Sequence, residues 1–260
     1  MTYPPQSEGV AAENSLLQRL TVVTFAIFAY ITAFLSVLWL IGVSGGFLPL
    51  GLQPLSQSLV ISTVINCLLV TIFGVQHSVM ARKGFKQWWT SKIPAVAERS
   101  TYVFASGLGL SLLLGFWQPM PGIIWSVESP TLTAIIWAIF GLGWLYFLLA
   151  TFAIDHFDLF GLRQVYYFWR NRPYPELPFI KRWMYNFNRH PIQTGILLGI
   201  WATPEMRLDH LLLSITLTIY VFIGLAFEER DLIQRFGEKY RQYAAEVGGI
   251  IPGRRSPQDN

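Results

Sequence analysis

The chain has 260 residues, of which 53% are hydrophobic and only 13% are charged. Because globular proteins carry about 25% charged residues, this composition excludes an ordinary soluble enzyme and indicates an integral membrane protein. The net charge of +4 is modest, and no nucleic-acid partner is predicted. The single cysteine, Cys67, excludes an intramolecular disulfide and a thiolate metal cluster, so no metal site is predicted.

The first residues are polar and lack the basic start of a cleavable signal peptide. Residues 1–19 are predicted to form an N-terminal tail, disordered over 1–14, and residues 253–260 a disordered C-terminal tail. Between them lie six apolar segments, in chain order 20–43, 57–80, 102–117, 131–154, 192–203 and 210–227.

A bilayer core about 30 Å thick requires about 20 apolar helical residues. The first, second and fourth segments reach that length, whereas the third is shorter. The fifth stops at Pro204 and the sixth follows at once, so these two are predicted to form a tight helical hairpin. The predicted fold class is therefore all-α: an integral-membrane helical bundle of about six apolar segments.

The basic residues predict the orientation of this bundle. With six crossings, 18 of the 19 Lys and Arg residues fall on one side of the membrane, and only Arg207 falls on the other. Cytoplasmic loops are enriched in Lys and Arg, so both termini are expected in the cytoplasm and membrane lipids are expected partners. The oligomeric state is not predicted.

The stretch NRHPIQTG, residues 188–195, opens the fifth segment with polar side chains. Pro191 suits the first position of a helix, which places His190 at the N-cap. Helix N-termini favour anions, and Arg189 adds a guanidinium that binds carboxylate or phosphate. Gly195 and Gly199 leave a bare helix face. This face approaches either a ligand or a partner helix, and the sequence leaves both open.

Residues 227–252, FEERDLIQRFGEKYRQYAAEVGGIIP, follow the sixth segment and predict a cytoplasmic amphipathic helix. At helical spacing Glu229 and Tyr240 share one face, with Glu228 beside them. A carboxylate and tyrosines in this arrangement can hold a ribose, an amine or a sulfonium. The alternative is an interfacial helix whose charged side chains reach back to water.

Together, the RHP helix start and the motif EE…FGxxYxxY…IP resemble the integral-membrane methyltransferases over residues 181–252. That family includes isoprenylcysteine carboxyl methyltransferase and the phospholipid methyltransferases, and it uses S-adenosylmethionine (SAM). An aromatic residue is common two positions after the RHP proline, and Gln193 stands there in this chain. The resemblance implies a SAM site built from Tyr185, Arg189, His190, Pro191, Gln193, Gly195, Glu228, Glu229 and Tyr240.

Three further stretches narrow the resemblance: QHSVMARKGFKQWW at 76–89, ERSTYV at 98–103 and HFDLFGLRQV at 156–165. They are similar to the nurim-related bacterial methanethiol S-methyltransferases. The resemblance implies a single methyltransferase domain over 20–252 in a bacterial inner membrane, with a small thiol as substrate. Alternatives are the same fold acting on another thiol, an isoprenylcysteine or a phospholipid, and a non-catalytic membrane protein like nurim.

Methylation of a thiol requires the thiolate, because the neutral thiol is a weak nucleophile. Histidine, with a pKa near 6.5, is the natural base. His77 and His156 end the second and fourth segments on the predicted cytoplasmic side, and Asp155 and Asp158 flank His156. His156, oriented by Asp155, is the first predicted base and His77 the second. The alternative for both is a helix C-cap.

Overall fold

The computed structural model describes residues 15–52, 55, 58–175 and 182–254. This part of the chain is mostly helical, and it contains one pair of short strands, β1 (Ile123–Ser126) and β2 (Glu205–Arg207). Its α-helices are α1 (Leu16–Ser44), α2 (Leu59–Ala81), α3 (Lys83–Thr90), α4 (Glu98–Phe116), α5 (Pro130–Ile154), α6 (His156–Leu159), α7 (Leu162–Trp169), α8 (Pro191–Trp201), α9 (Leu208–Phe236) and α10 (Glu238–Glu246).

Four helices, α1, α2, α5 and α9, are long and apolar enough to cross a membrane. Their outward faces carry large exposed aliphatic side chains such as Val60 and Ile72. In water such a surface would be costly, whereas lipid solvates it. The prediction of a helical integral membrane protein is therefore confirmed.

The other two predicted crossings also form helices, α4 and α8, but neither meets the same criteria. Helix α4 begins with two buried charged residues, Glu98 and Arg99. Helix α8 has 11 residues, which at 1.5 Å per residue makes about 16 Å, roughly half of a bilayer core. The structure thus shows four membrane-length helices where the sequence predicted about six crossings.

Glycines set the closest helix contacts in the bundle. A Cβ added at Gly195 of α8 would lie 2.5 Å from the Phe147 backbone nitrogen of α5, and one at Gly199 would overlap the Trp144 ring. Of the two possibilities left open by the sequence, the bare face of α8 therefore meets a partner helix. Helix α8 also pairs with α9 as the predicted hairpin, through a Trp201–Thr218 hydrogen bond of 2.9 Å.

The strand pair departs from the all-α prediction. Strands β1 and β2 run antiparallel, with Ile123 opposite Arg207 and Ser126 opposite Glu205. They join the segment after α4 to the segment after α8, at the end of the bundle away from the NRHP stretch. Strands of three and four residues are too short to leave an alternating pattern in the sequence, which is why the prediction missed them.

The predicted C-terminal amphipathic helix is divided in the structure. Helix α9 continues past the apolar segment to Phe236, so Glu228 and Glu229 belong to the same rod as the membrane-length helix. Gly237, at φ +57°, ends it, and α10 follows. Gly253 donates to the Phe187 carbonyl at 2.7 Å and therefore belongs to the folded part. Of the predicted N-terminal tail, residues 16–19 belong to α1, whereas residues 1–14 and 255–260 of the two tails lie outside the described residues.

Candidate active site

Arg189 connects the start of α8 with α9 and with the C-terminal segment. Its Nε and Nη2 donate to Glu229 Oε1 at 3.1 and 2.7 Å, and its Nη1 donates to the carbonyls of Ala244 and Val247. Its backbone N–H donates to Gly248. Four guanidinium N–H groups thus have protein acceptors, so Arg189 positions Glu229 and the C-terminal segment more than it offers free donors.

His190 is buried and also turns toward Glu229. Its Nε2 lies 2.9 Å from Glu229 Oε1, the same oxygen that Arg189 contacts. The His190 residue occupies the predicted N-cap position, but its side chain makes no capping bond. Instead, Asn188 Oδ1 accepts from the His190 backbone N–H at 2.9 Å. Asn188 is fully buried and was not among the predicted site residues. Its place two residues before the N-cap His190 is the signal that was missed.

Pro191 occupies the first helical position of α8, as predicted. The next residues, Ile192 and Gln193, therefore present first-turn N–H groups that have no intrahelical acceptor. Gln193 is half-buried at this end of the helix. Gly195, one turn further, faces α5 and supports the helix rather than the open end of the site.

Glu228 lies beside this network but is not part of it. Among the described residues, no side chain donates a hydrogen bond to its carboxylate, although part of its surface is accessible. His190, Tyr185 and Tyr240 surround it closely enough to interact with its charge. An accessible carboxylate among aromatic rings is a favourable environment for an organic cation.

Three tyrosines cluster near the α9 carboxylates, two of them near enough to interact with the carboxylate charge. Tyr240 is buried and packs edge-to-face on Tyr243 at 5.8 Å, and the Tyr243 hydroxyl donates to the Tyr185 carbonyl at 2.7 Å. Burial, and then the charge of Glu228, raises the pKa of Tyr185. Burial also raises the pKa of Tyr243 to about 12. All three phenols are therefore neutral at pH 7, and the single proton of Tyr243 is already donated to the Tyr185 carbonyl.

His77, near the end of α2, pairs with a residue the sequence did not indicate. Its Nε2 lies 2.6 Å from the Tyr102 hydroxyl of α4, and its imidazole ring packs against Phe73 and Tyr220. Its Nδ1 is buried without a hydrogen-bond partner in the described part of the chain. The Arg99 guanidinium lies 5.3 Å from the centre of the Tyr102 ring.

His156 forms a second tyrosine–histidine pair. Its Nε2 lies 3.0 Å from the Tyr30 hydroxyl and its Nδ1 lies 2.8 Å from Thr151 Oγ1. Because the Thr151 hydroxyl proton is directed to the Leu148 carbonyl, Nδ1–H of His156 donates and Nε2 accepts. The ring stacks on Phe152 at 4.4 Å and is buried. Burial lowers the pKa of His156, and the charge of Asp155 offsets only part of this effect.

Asp155 does not hydrogen-bond to His156. One of its carboxylate oxygens accepts from the Asp158 backbone N–H at 3.0 Å and thereby caps α6, and the other accepts from Arg163. Asp158 in turn accepts from Gln164 and Tyr174. The two acidic residues predicted to tune His156 thus anchor the α6–α7 segment.

An apolar groove of about 750 Å³ lies between α5 and α8, lined among others by Tyr146, Leu198 and Ile251. None of the predicted site residues lines it. The groove is therefore distinct from the polar cluster around Glu228 and Glu229.

The fold and the site define a class: an integral-membrane helical protein with a cluster of carboxylate, histidine and tyrosine side chains at one end of its bundle. No protein-family model and no solved structure matches the chain significantly. It is 47% identical over 199 residues to methanethiol S-methyltransferase of Mycobacterium tuberculosis, covering 76% of this chain and 80% of that protein. It is 43% identical over 241 residues to methanethiol S-methyltransferase of Crocosphaera subtropica, covering 92% and 94%.

A more distant relative is nurim of Bos taurus, at 30% identity over 188 residues, covering 68% of this chain and 70% of that protein. The identity to the bacterial enzymes is higher and extends over most of the chain. This chain belongs to the methanethiol S-methyltransferase family.

Proposed function

We propose that this protein transfers a methyl group from SAM to the sulfur of methanethiol, giving dimethyl sulfide and S-adenosylhomocysteine. The observation that carries the proposal is the 43% identity over 92% of the chain to a methanethiol S-methyltransferase. The pocket around Glu228 supports it independently, because a sulfonium methyl donor is an organic cation.

The residues of the pocket fit SAM. Glu228 offers an accessible carboxylate among Tyr185, Tyr240 and His190, which suits the sulfonium or the ammonium group. On Glu229 all three contacts fall on Oε1, so Oε2 stays available to a cationic group. The first-turn N–H groups of α8, near Gln193, suit the carboxylate of the donor. Bound in this pocket, SAM supplies the electrophilic methyl group.

Each remaining predicted residue has a supporting task in this proposal. Arg189 and His190 hold Glu229 in place, and Pro191 fixes the helix start. Gly195 keeps α8 against α5 so that the helix mouth does not shift. For the proton acceptor the geometry favours His77 over His156, because both ring nitrogens of His156 already have protein partners.

We also propose that α4 and α8 complete a six-segment bundle. Contacts such as Gly107 with Ala33 and His77 with Tyr102 show that α4 runs parallel to α1 and antiparallel to α2. Helix α8 likewise runs antiparallel to α5. Six alternating segments leave 18 of 19 basic residues on one side, which supports cytoplasmic termini and a cytoplasmic pocket in a bacterial inner membrane. Methanethiol, small and apolar, partitions into the surrounding lipid.

Purified protein in detergent tests the function directly. Calorimetric titration with SAM and with S-adenosylhomocysteine should show saturable binding of both. Headspace gas chromatography should then detect dimethyl sulfide only when SAM and methanethiol are both present. Absence of SAM binding by folded protein would refute the proposal and favour a non-catalytic role like the one expected from the nurim resemblance. SAM binding with methylation of an isoprenylcysteine or a phospholipid, but not of methanethiol, would refute the substrate.

A further inference from the structure

Tyr102 lies in the ERSTYV stretch, to which the sequence assigned no chemical role, and it contacts the second predicted base, His77. Its hydroxyl contacts His77 Nε2 at 2.6 Å, and its ring is half-buried. On the α9 side, the His77 ring packs edge-to-face on Tyr220, and Glu228, further along α9, interacts electrostatically with the Tyr102 hydroxyl and with His190. Tyr102 thus connects the α2–α4 side of the bundle to the donor pocket on α9.

The contacts of His77 restrict how a proton can reach it. Nδ1 is buried and has no partner in the described part of the chain, and Nε2 faces the Tyr102 hydroxyl. The rings of Phe73 and Tyr220 cover the imidazole from α2 and α9. Because Nε2 faces the Tyr102 hydroxyl, a substrate proton reaches it through the Tyr102 oxygen, which also interacts with the Ser106 hydroxyl and keeps a further lone pair.

We infer that Tyr102 is a catalytic residue that contacts the thiol and relays its proton to His77. The inference rests on the proposed function. As the sulfur lone pair forms the new carbon–sulfur bond, the bond between the methyl group and the donor sulfur breaks. The thiol S–H bond breaks as well, its proton goes to the Tyr102 oxygen, and the Tyr102 proton goes to His77 Nε2. The imidazolium later releases that proton to water.

The charges around the Tyr102–His77 pair suit a proton transfer in which the phenol of Tyr102 stays neutral. Arg99, at 5.3 Å from the Tyr102 ring, opposes the imidazolium and stabilises negative charge on the phenol oxygen, whereas the charge of Glu228 disfavours a phenolate. The other charged and titratable groups packed nearby are Tyr220 on α9, which is hydrogen-bonded to Ser78, and Arg82, which pairs with Asp231. The relay passes a proton without leaving a net charge on Tyr102.

The second tyrosine–histidine pair provides a matched control. Tyr30 and His156 have the same pairing at 3.0 Å, but within the described part of the chain the acidic group that interacts with that histidine is Asp155, which pairs with Arg163. Tyr30→Phe removes the same hydroxyl from a pair that does not adjoin Glu228. Tyr102→Phe and Tyr30→Phe therefore differ in location and not in chemistry.

The test compares methanethiol with methaneselenol, since a selenol is already ionised at neutral pH and needs no base. Tyr102→Phe should lower kcat for methanethiol about 10²-fold or more, with far less loss for methaneselenol, and with SAM affinity by calorimetry within about threefold of wild type. Tyr30→Phe should leave both rates near wild type. Equal losses for thiol and selenol, a wild-type thiol rate, or lost SAM affinity in Tyr102→Phe would each overturn the relay.

A second test covers the case in which Tyr102→Phe does not fold. His77→Asn removes the acceptor of the same relay and should show the same selective loss for the thiol. In wild-type protein, two moving protons should give a larger solvent deuterium isotope effect on kcat for the thiol than for the selenol, and equal effects would overturn the relay. Failure of the proposed function would show differently, because wild-type protein would then form no dimethyl sulfide at all.

Discussion

The two tyrosine–histidine pairs of this protein use the same side chains and differ in what surrounds them. In the Tyr30–His156 pair, Thr151 takes the second ring nitrogen and Phe152 stacks on the ring at 4.4 Å. In the Tyr102–His77 pair, the second nitrogen has no described partner and the phenol lies near Glu228. A histidine with two fixed partners connects helices, whereas one whose second nitrogen has no described partner is the better candidate for proton transfer.

The largest expected effect is on turnover, and it should differ between substitutions of the two histidines. His77→Asn should lower kcat for methanethiol by about 10²–10⁴, the usual range for a lost general base. His156→Asn should stay within a few-fold once its folded fraction is taken into account. Initial rates of dimethyl sulfide formation at pH 7 measure both. A large loss in His156→Asn with His77→Asn near wild type would reverse the roles assigned here.

The next effect concerns Glu229 on α9. Glu229→Ala removes the common acceptor of Arg189 and His190 and should weaken SAM binding by about 1.4 kcal/mol or more, a factor of about ten. Glu238→Ala is the matched control, because Glu238 is an exposed carboxylate that pairs only with Arg241 nearby. Calorimetric dissociation constants for both variants decide the point. Unchanged SAM affinity in folded Glu229→Ala would remove the α9 carboxylates from the donor site.

The two histidine substitutions should rank in the opposite order when stability is measured instead of turnover. His156→Asn breaks the contacts with Tyr30 and Thr151 and loses the stacking on Phe152, so it should cost about 1–3 kcal/mol. His77→Asn, which breaks one such contact, should cost less. Thermal unfolding in one detergent, followed by circular dichroism, compares them. If His77→Asn unfolds at the lower temperature, the structural role belongs to the His77 pair instead.

The smallest effect is a pH dependence of stability. Burial lowers the pKa of His156 below its unfolded value of about 6.5. A lowered pKa means that the folded state binds this proton less readily, so the contribution is present above pH 6.5. It is lost as the pH falls from there through the folded value. The fall in Tm between pH 7 and pH 5 should therefore be smaller in His156→Asn than in wild type. An equal fall in both would show that His156 does not titrate differently on folding.

Hydropathy predicted the long helices well because a membrane requires uninterrupted apolar runs. The runs at 20–43 and 131–154 correspond to α1 and α5 within a few residues. The end of α9 was not predicted, because helix propensity carries it through Glu228 and Glu229 to a glycine at φ +57°. Hydropathy reports only where the apolar run stops.

The sequence predicted the contacts between residues that belong to a motif. It did not predict the contacts between segments that are distant in the chain. Arg189, His190 and Glu229 do come together, as the motifs implied. The partners of the histidines could not be predicted, because Tyr30 is 126 positions from His156 and Tyr102 is 25 from His77. The packing of α1, α4 and α9 decides which histidine has two hydrogen-bond partners and which has one.

The central claim is that Glu228 holds the positive charge of the methyl donor next to Tyr102. SAM and S-adenosylhomocysteine share every group except the charged sulfonium and its methyl, so the difference in their affinities isolates that charge. Calorimetry of wild type and Glu228→Gln with both ligands measures it. The claim predicts that wild type binds SAM more tightly than S-adenosylhomocysteine and that Glu228→Gln reduces this preference by about tenfold. A preference unchanged by Glu228→Gln would contradict the claim.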